Sequence, residues 1–103
     1  LKCYYGAILV SASPGKEEQV YESLIGGKIK DPFVTIKNVC PIFGEYDLIV
    51  EVETPNTDSL NQFASRLREV PNVTDIKALE PKTTPWLKSL EDKLDDKNRQ
   101  QIP

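Results

Sequence analysis

The chain has 103 residues, which suits one domain, and its 39% hydrophobic and 28% charged residues are typical of globular proteins rather than disordered ones. The formal net charge is −3 and no stretch is strongly basic, so we expect no direct binding to nucleic acid. Histidine is absent, which removes the commonest general base and metal ligand. No apolar run is long enough for a signal peptide or a membrane span, and we expect a cytoplasmic protein.

Residues 3–12 predict a first strand with two apolar faces. At a period of two, one face carries Tyr4, Ile8 and Val10, and the other carries Tyr5, Ala7 and Leu9. A strand of this kind is covered on both sides. One layer of helices covers only one of those sides, so something else must cover the other.

Residues 13–15 (Ser-Pro-Gly) end this strand and begin a helix, with Ser or Gly as the expected cap. Glu17 and Glu18 lie in the first turn, where the helix dipole favours acidic side chains. The apolar stripe of this helix consists of Val20, Leu24 and Ile25. Two consecutive glycines at 26–27 end it.

Residues 33–43 predict a second strand because they are rich in β-branched side chains. Pro41 has no N–H group, which indicates an edge position or a bulge. A turn at residues 44–47 then leads into a third strand at 48–53.

A second helix follows, with Asn56 or Thr57 as the expected cap. Its apolar residues have helical spacing and are Leu60, Phe63, Ala64, Leu67 and Val70. Residues 71–72 (Pro-Asn) end this helix, and residues 73–79 predict a fourth, weaker strand.

The βαββαβ order over residues 1–80 predicts an α+β, ferredoxin-like domain, a four-stranded antiparallel sheet with both helices on one face. The first and third strands are then central. The other face of the sheet is an apolar patch larger than monomers usually expose. A second copy packed sheet against sheet can cover it, so we predict a homodimer or higher oligomer.

Residues 81–85 predict a linker bracketed by prolines, and residues 86–103 predict an amphipathic C-terminal helix and tail. The apolar side of this helix carries Trp86, Leu87, Leu90 and Leu94. An isolated helix so short is marginal in water, so the stripe needs a surface to lie on. That surface is the chain's own sheet, a neighbouring subunit or a protein partner.

The two cysteines, Cys3 and Cys40, fall on strands that the predicted order separates, so we expect no disulfide between them. Buried, inert thiols are the expected state. No cofactor is predicted. No metal site is predicted either, because the carboxylates of Glu51 and Glu53 are interpreted as solvated surface charge.

Residues 43–52, FGEYDLIVEV, resemble the ligand-binding domain of the Lrp/AsnC transcription regulators, also called the regulation-of-amino-acid-metabolism domain. The resemblance includes residues 14–18 and 70–73 and runs from about Tyr5 to Leu79. We expect a stand-alone form of this domain, because the chain shows no helix-turn-helix of the kind that the family carries at its N-terminus. The resemblance also implies a dimeric α/β barrel, dimers that often assemble into rings of eight, and a small effector, an amino acid or similar molecule, bound between dimers.

The same resemblance places ligand binding at Gly44, Glu45, Tyr46 and Asp47. Gly44 permits close backbone approach, Asp47 can accept from an ammonium group, and Tyr46 offers a ring and a hydroxyl. These residues also have a purely structural interpretation. In that interpretation Gly44 provides a positive φ, Asp47 bonds turn amides, and Tyr46 packs.

The chain departs from the family pattern in three respects, one of which is that it lacks the N-terminal helix-turn-helix and has an unusual C-terminal helix. Phe43 stands where the family commonly has Thr before the glycine. Ile76 and Ala78 fall near the threonines expected on the last strand, and neither side chain can hydrogen-bond a ligand.

The leading functional prediction is an effector-sensing and oligomerisation domain that acts in transcriptional or metabolic regulation without binding DNA itself, and that is not an enzyme. One alternative is a small dimeric α/β-barrel enzyme, a cofactor-independent oxygenase or isomerase. Its polar groups inside the sheet layer would be Tyr4, Tyr5 and Asn38. A second alternative is a pure assembly or scaffold module.

Overall fold

A computed structural model describes residues 4–27 and 29–80, together with Trp86, Leu90 and Lys93. The elements are β1 (Tyr4–Ala12), α1 (Glu17–Ile25), β2 (Thr35–Pro41), β3 (Leu48–Thr54), α2 (Thr57–Leu67) and β4 (Val73–Leu79). The strands form one sheet in the order β2-β3-β1-β4, and every neighbouring pair is antiparallel. The predicted ferredoxin-like fold is confirmed, with β1 and β3 at the centre and β2, which contains Pro41, at an edge.

The hydrophobic core lies between the sheet and the helices. Ile8 and Val10 of β1 and Val50 of β3 are completely buried there. The predicted stripe of α2 and the loop after it is also buried and comprises Leu60, Phe63, Ala64, Leu67 and Val70. In the described part of the chain no helix is long and apolar enough to cross a membrane.

The two helices begin differently. Asn56 caps α2 as predicted, because its side-chain oxygen accepts a hydrogen bond from the Ser59 N–H at 2.7 Å. At α1 the expected Ser or Gly cap is wrong, since the N-cap is Lys16, which makes no side-chain cap bond. Gly15 instead has a φ of +80°, and it lies in a turn in which the Lys16 N–H donates to the Ser13 carbonyl at 2.9 Å.

The α1 stripe is also narrower than predicted. Val20 and Leu24 are buried, but Ile25 is 56% exposed. Ile25 follows Leu24 directly, and consecutive helical residues point in different directions. Ile25 therefore lies at the border of the buried face rather than within it.

Strand β2 is shorter than the predicted 33–43. Before it, the Phe33 N–H bonds the side chain of Asp31 at 2.8 Å, a local turn that competes with strand pairing. After it, the Ile42 N–H bonds the Asp47 carbonyl at 2.9 Å and closes the loop to β3. Local hydrogen bonds at both ends thus limit the strand to Thr35–Pro41.

The sheet face away from the helices, called here the open face, carries no described element. Its apolar residues include Tyr5, Ala7, Leu9, Ile49 and Leu79, and its charged ones include Glu51, Glu53, Asp75 and Lys77. The prediction that β1 is apolar on both faces is confirmed, but the neighbouring strands add charges to this side. The open face is therefore mixed rather than uniformly apolar.

Cys40 lies on this open face, opposite Ile49, and is an exposed free thiol. The expectation that this thiol is buried is wrong, because the alternation of β2 turns Val39, and not Cys40, towards the helices. Cys3 lies outside the described residues. Since β3 lies between β1 and β2, the predicted order of these strands is confirmed.

The predicted linker 81–85 and most of the predicted C-terminal helix lie outside the described residues. Of that segment, Trp86 and Leu90 are described as 58% and 50% exposed. The Leu90 N–H donates to the Trp86 carbonyl at 3.3 Å, an i to i+4 hydrogen bond. The helix itself stays a prediction.

The contrast between two phenylalanines tests the position of the core. Phe63 is 1% exposed and Phe33 is 63% exposed. We expect Phe63→Ala to lower the free energy of unfolding by about 3–5 kcal/mol, and the control Phe33→Ala to change it by less than about 0.5 kcal/mol. Urea denaturation at one fixed protein concentration measures both. Equal losses in the two variants would contradict the core assignment.

Candidate functional site

The loop between β2 and β3 contains the four predicted ligand-binding residues, and Asp47 fastens it to the sheet. The Asp47 N–H donates to the Val10 carbonyl at 2.9 Å, and its Oδ2 accepts from the Ala12 N–H at 2.8 Å. These bonds extend the pairing of β1 beyond Leu48, where β3 begins. The carboxylate takes the place of a strand carbonyl, so the turn is held firmly against the end of β1.

The second carboxylate oxygen of Asp47 has no hydrogen-bond donor among the described residues. Asp47 is half-buried, and a carboxylate offers two oxygens with several acceptor positions. One oxygen therefore holds the turn while the other can accept from a ligand. An ammonium group is the complementary donor.

Gly44 lies at the exposed end of this loop. Its φ of +127° is a conformation that side chains disfavour, as the structural interpretation of this residue required. A Cβ atom at this position would have no heavy atom within 4 Å, so the space beside the backbone is open. Gly44 and Glu45 are both exposed, so this end of the loop is open to solvent.

Tyr46 reaches across the sheet to β4. Its hydroxyl donates to Asp75 Oδ2 at 3.2 Å, and because β1 lies between β3 and β4, the side chain passes the end of β1. Partial burial, the hydrogen bond to Asp75 and the charges of Asp75 and Glu45 all raise the pKa of Tyr46 above 10.0. The hydroxyl is protonated at neutral pH and acts as a donor.

Ser11 also belongs to this end of the sheet, where its hydroxyl donates to the Glu45 carbonyl at 3.4 Å. Sequence reasoning missed Ser11, Ala12 and Asp75. Their partnership with the turn depends on the strand register, which pairs Ser11 with Asp75 and shifts after Ser11. No local sequence signal encodes that register.

The structure does not bring together the residues of the enzyme alternative. Tyr5 and Asn38 are exposed on the open face but lie on β1 and β2, with β3 between them. Two strand spacings correspond to about 10 Å. The side chain of Tyr4 lies outside the described part. The described residues also contain no group of three or more acidic or cysteine side chains that could hold a metal.

Three surface clefts of the described chain lie away from the turn. One of about 550 Å³ lies between α1 and β2, one of about 340 Å³ is bordered by Ser23 and Arg66, and one of about 340 Å³ lies on the open face beside Tyr5. None of these three is lined by residues 44–47.

Comparisons with known proteins decide the family. A model of the Lrp/AsnC ligand binding domain matches residues 35–80, which contain β2, the turn, β3, α2 and β4. The chain is also 30% identical to a hypothetical protein, PHS023, from Pyrococcus horikoshii, with a TM-score of 0.60, over 84% of this chain and 96% of that one. The chain belongs to the Lrp/AsnC ligand-binding domain family. The resemblance seen in the sequence is therefore confirmed.

More distant structures share the fold of this Lrp/AsnC domain. The ACT domain from GTP pyrophosphokinase of Chlorobium tepidum has a TM-score of 0.55 at 17% identity, over 82% of this chain and 94% of that one. MtbAldR has a TM-score of 0.53 at 14% identity, over 79% of this chain and 54% of that one. The chain thus spans about half of MtbAldR. A comparison with curated proteins gives no match.

The Tyr46–Asp75 hydrogen bond predicts a late tyrosine titration. The difference in tyrosinate absorbance between the wild type and Tyr46→Phe should titrate with a midpoint above pH 10.0. Because the raised pKa belongs to the folded state, its contribution to stability is present below pH 10.0 and is lost as the pH rises through the folded value. Asp75→Asn should move the midpoint downwards. A midpoint that Asp75→Asn leaves unchanged would contradict the assignment.

Proposed function

We propose that this domain senses a small effector, an amino acid or related metabolite, at the Gly44–Asp47 turn and self-associates, acting in transcriptional or metabolic regulation. The observation that carries the proposal is the Asp47 carboxylate in a domain of the Lrp/AsnC ligand-binding family. It is fixed by one oxygen to the Ala12 N–H, and its other oxygen has no described donor.

A fixed carboxylate suits recognition of an ammonium group because little conformational freedom is lost when the ligand binds. Gly44 leaves open space for a ligand or a neighbouring chain beside the backbone. The protonated Tyr46 hydroxyl lies at the same end of the sheet but is engaged by Asp75. In this proposal Asp47 supplies the charge, Gly44 the access, and Tyr46 the support of the turn.

Residues 44–47 line none of the three clefts of the described chain, so we infer that a second copy completes the site. A ligand held between two copies binds the assembled state more tightly than the separate chains, and it shifts the equilibrium towards assembly by that difference in affinity. The chain's −3 charge and lack of a basic stretch support a role that does not include DNA binding itself. An exposed free thiol at Cys40 is compatible with the reducing cytoplasm, where we propose that the domain acts.

The open face supports self-association. Leu9 and Ile49 pair at its centre and are only partly buried in the single chain. Charges of both signs flank them, including Glu51 and Lys77. A two-fold pair of sheets would bury the apolar centre and would permit contacts between the acidic residues of one copy and Lys77 of the other. A dimeric α/β barrel is the proposed result.

Ligand sensing predicts a stabilising effect that depends on the charge of Asp47. A thermal-shift screen of the twenty amino acids should identify a compound that stabilises the fold. At a hundred times its dissociation constant, it should raise the free energy of unfolding by about 2.7 kcal/mol and the melting temperature by several degrees. Asp47→Asn keeps an oxygen for the Ala12 N–H and removes the charge, so the fold should survive and the shift should disappear.

The control for this experiment is Asp58→Asn, which removes a carboxylate from the first turn of α2. It should retain the ligand-induced shift. A shift that survives in Asp47→Asn would locate binding elsewhere, and the absence of any shift would leave assembly as the domain's function.

Pairing through the open face predicts that a charge at its centre lowers the native mass. Leu9→Glu places a carboxylate opposite Ile49 and should convert a dimer into monomers in analytical ultracentrifugation. Gln62→Glu, an exposed position on α2, is the matched control and should stay dimeric. A dimer that withstands Leu9→Glu would contradict pairing through this face.

A further inference from the structure

Two exposed features lie next to β2: a projecting aromatic side chain after its end and a cleft along its side. Phe43, in the loop after β2, is fully exposed at 106% of its reference area. Alongside β2 lies the cleft of about 550 Å³, whose apolar walls are formed by Tyr21, Leu24, Ile25, Ile29, Val34 and Ile36. The first is a projecting aromatic side chain, and the second is a cleft in which polar side chains, including Thr35 and Asn38, line the space together with the apolar ones. Neither is covered by another described element of the same chain.

We propose that Phe43 of one copy docks into the α1–β2 cleft of a second copy of this chain. This contact would be additional to pairing through the open face. It rests on the proposed function only in that the chain associates with itself. Large aromatic side chains are the usual anchors of protein interfaces, and they dominate binding when they fill apolar pockets. Because no described residue of its own chain covers Phe43, a pocket for this side chain would come from a second molecule.

The charges around the two surfaces are complementary. Glu45 is exposed two residues after Phe43. The cleft contains Lys30 and Lys37, whereas its one carboxylate, Asp31, is paired with Arg66 at 3.1 Å. Lys37 lies 3.5 Å from Glu53, and no carboxylate partner is described for Lys30. In the proposed contact, an aromatic side chain followed by a carboxylate would meet a cleft that has both apolar walls and lysines.

This contact is distinct from pairing through the open face. Val34 and Ile36 belong to the side of the sheet that packs against the helices, as their burial shows. A chain that uses both surfaces can contact one neighbour through the sheet and another through Phe43. The expected assembly is therefore larger than a dimer.

The test is the native mass of the full chain over a range of concentrations. Phe43→Ser changes a side chain outside the core, and Ile25→Glu places a charge at the 56% exposed border of the cleft. Each should weaken the larger assembly by about 30-fold or more in dissociation constant. Phe33→Ser, an exposed phenylalanine that does not line the cleft, is the control and should leave the mass unchanged. Circular dichroism verifies that each variant is folded.

Mixing the two variants gives a sharper result. The Phe43→Ser chain keeps its cleft and the Ile25→Glu chain keeps its Phe43, so a mixture should regain one intact contact and a mass above that of either variant alone. A photo-reactive phenylalanine analogue at position 43 should cross-link to residues 21–36 of another chain.

The outcomes separate this inference from the functional proposal. A larger assembly that Phe43→Ser reduces to dimers supports it. A dimer that Phe43→Ser dissociates also supports it and assigns the pair to this contact instead of the open face. It is overturned if no assembly responds to Phe43→Ser, if Phe33→Ser has the same effect, or if position 43 cross-links only outside the cleft. None of these results depends on an effector.

Discussion

The two described helices, α1 and α2, cover only one face of the sheet, and other features of the molecule follow from that constraint. On the covered face Ile8, Val10 and Val50 form a fully buried core. On the open face the same strands carry Leu9 and Ile49 among charged neighbours. A domain of this size buries only about two-thirds of its surface and has little stability in reserve. Burying the open face between two copies would therefore contribute both to association and to the stability of the fold.

Asp47 holds the turn through one carboxylate oxygen and leaves the other without a described donor. The structural interpretation of the turn is correct in part, since Asp47 Oδ2 bonds the Ala12 amide and Gly44 has a positive φ. Neither fact excludes a ligand, because the remaining carboxylate oxygen faces no described donor. The amide bond instead fixes the direction of the carboxylate. A truncation of Asp47 would disturb fold and binding at once, whereas the isosteric amide separates the two effects.

Local patterns predicted most of the fold, although they gave the wrong cap for α1 and placed Ile25 in its buried stripe. The features of the candidate site that they did not predict depend on strand register. The spacing of the α2 residues and the N-cap Asn56 are local signals, and both are confirmed. The exposure of Cys40 depends on which way the alternation of β2 falls. The Tyr46–Asp75 hydrogen bond joins residues on opposite sides of β1, and the sequence around either residue contains no indication of it. The family resemblance identifies the turn in the sequence. The residues that hydrogen-bond to the turn are visible only in the folded structure.

The loop between β2 and β3 carries both the candidate ligand-binding residues and Phe43, and this proximity has a thermodynamic consequence. If Phe43 docks into a second copy, the adjacent Gly44–Asp47 turn is brought against that copy. Residues of the second copy would then complete the proposed ligand site. Ligand binding and docking would share one loop, so each would strengthen the other by the same factor. A loop held by Asp47 to the end of β1 can transmit this coupling without rearrangement of the core, because its position relative to the sheet is already fixed.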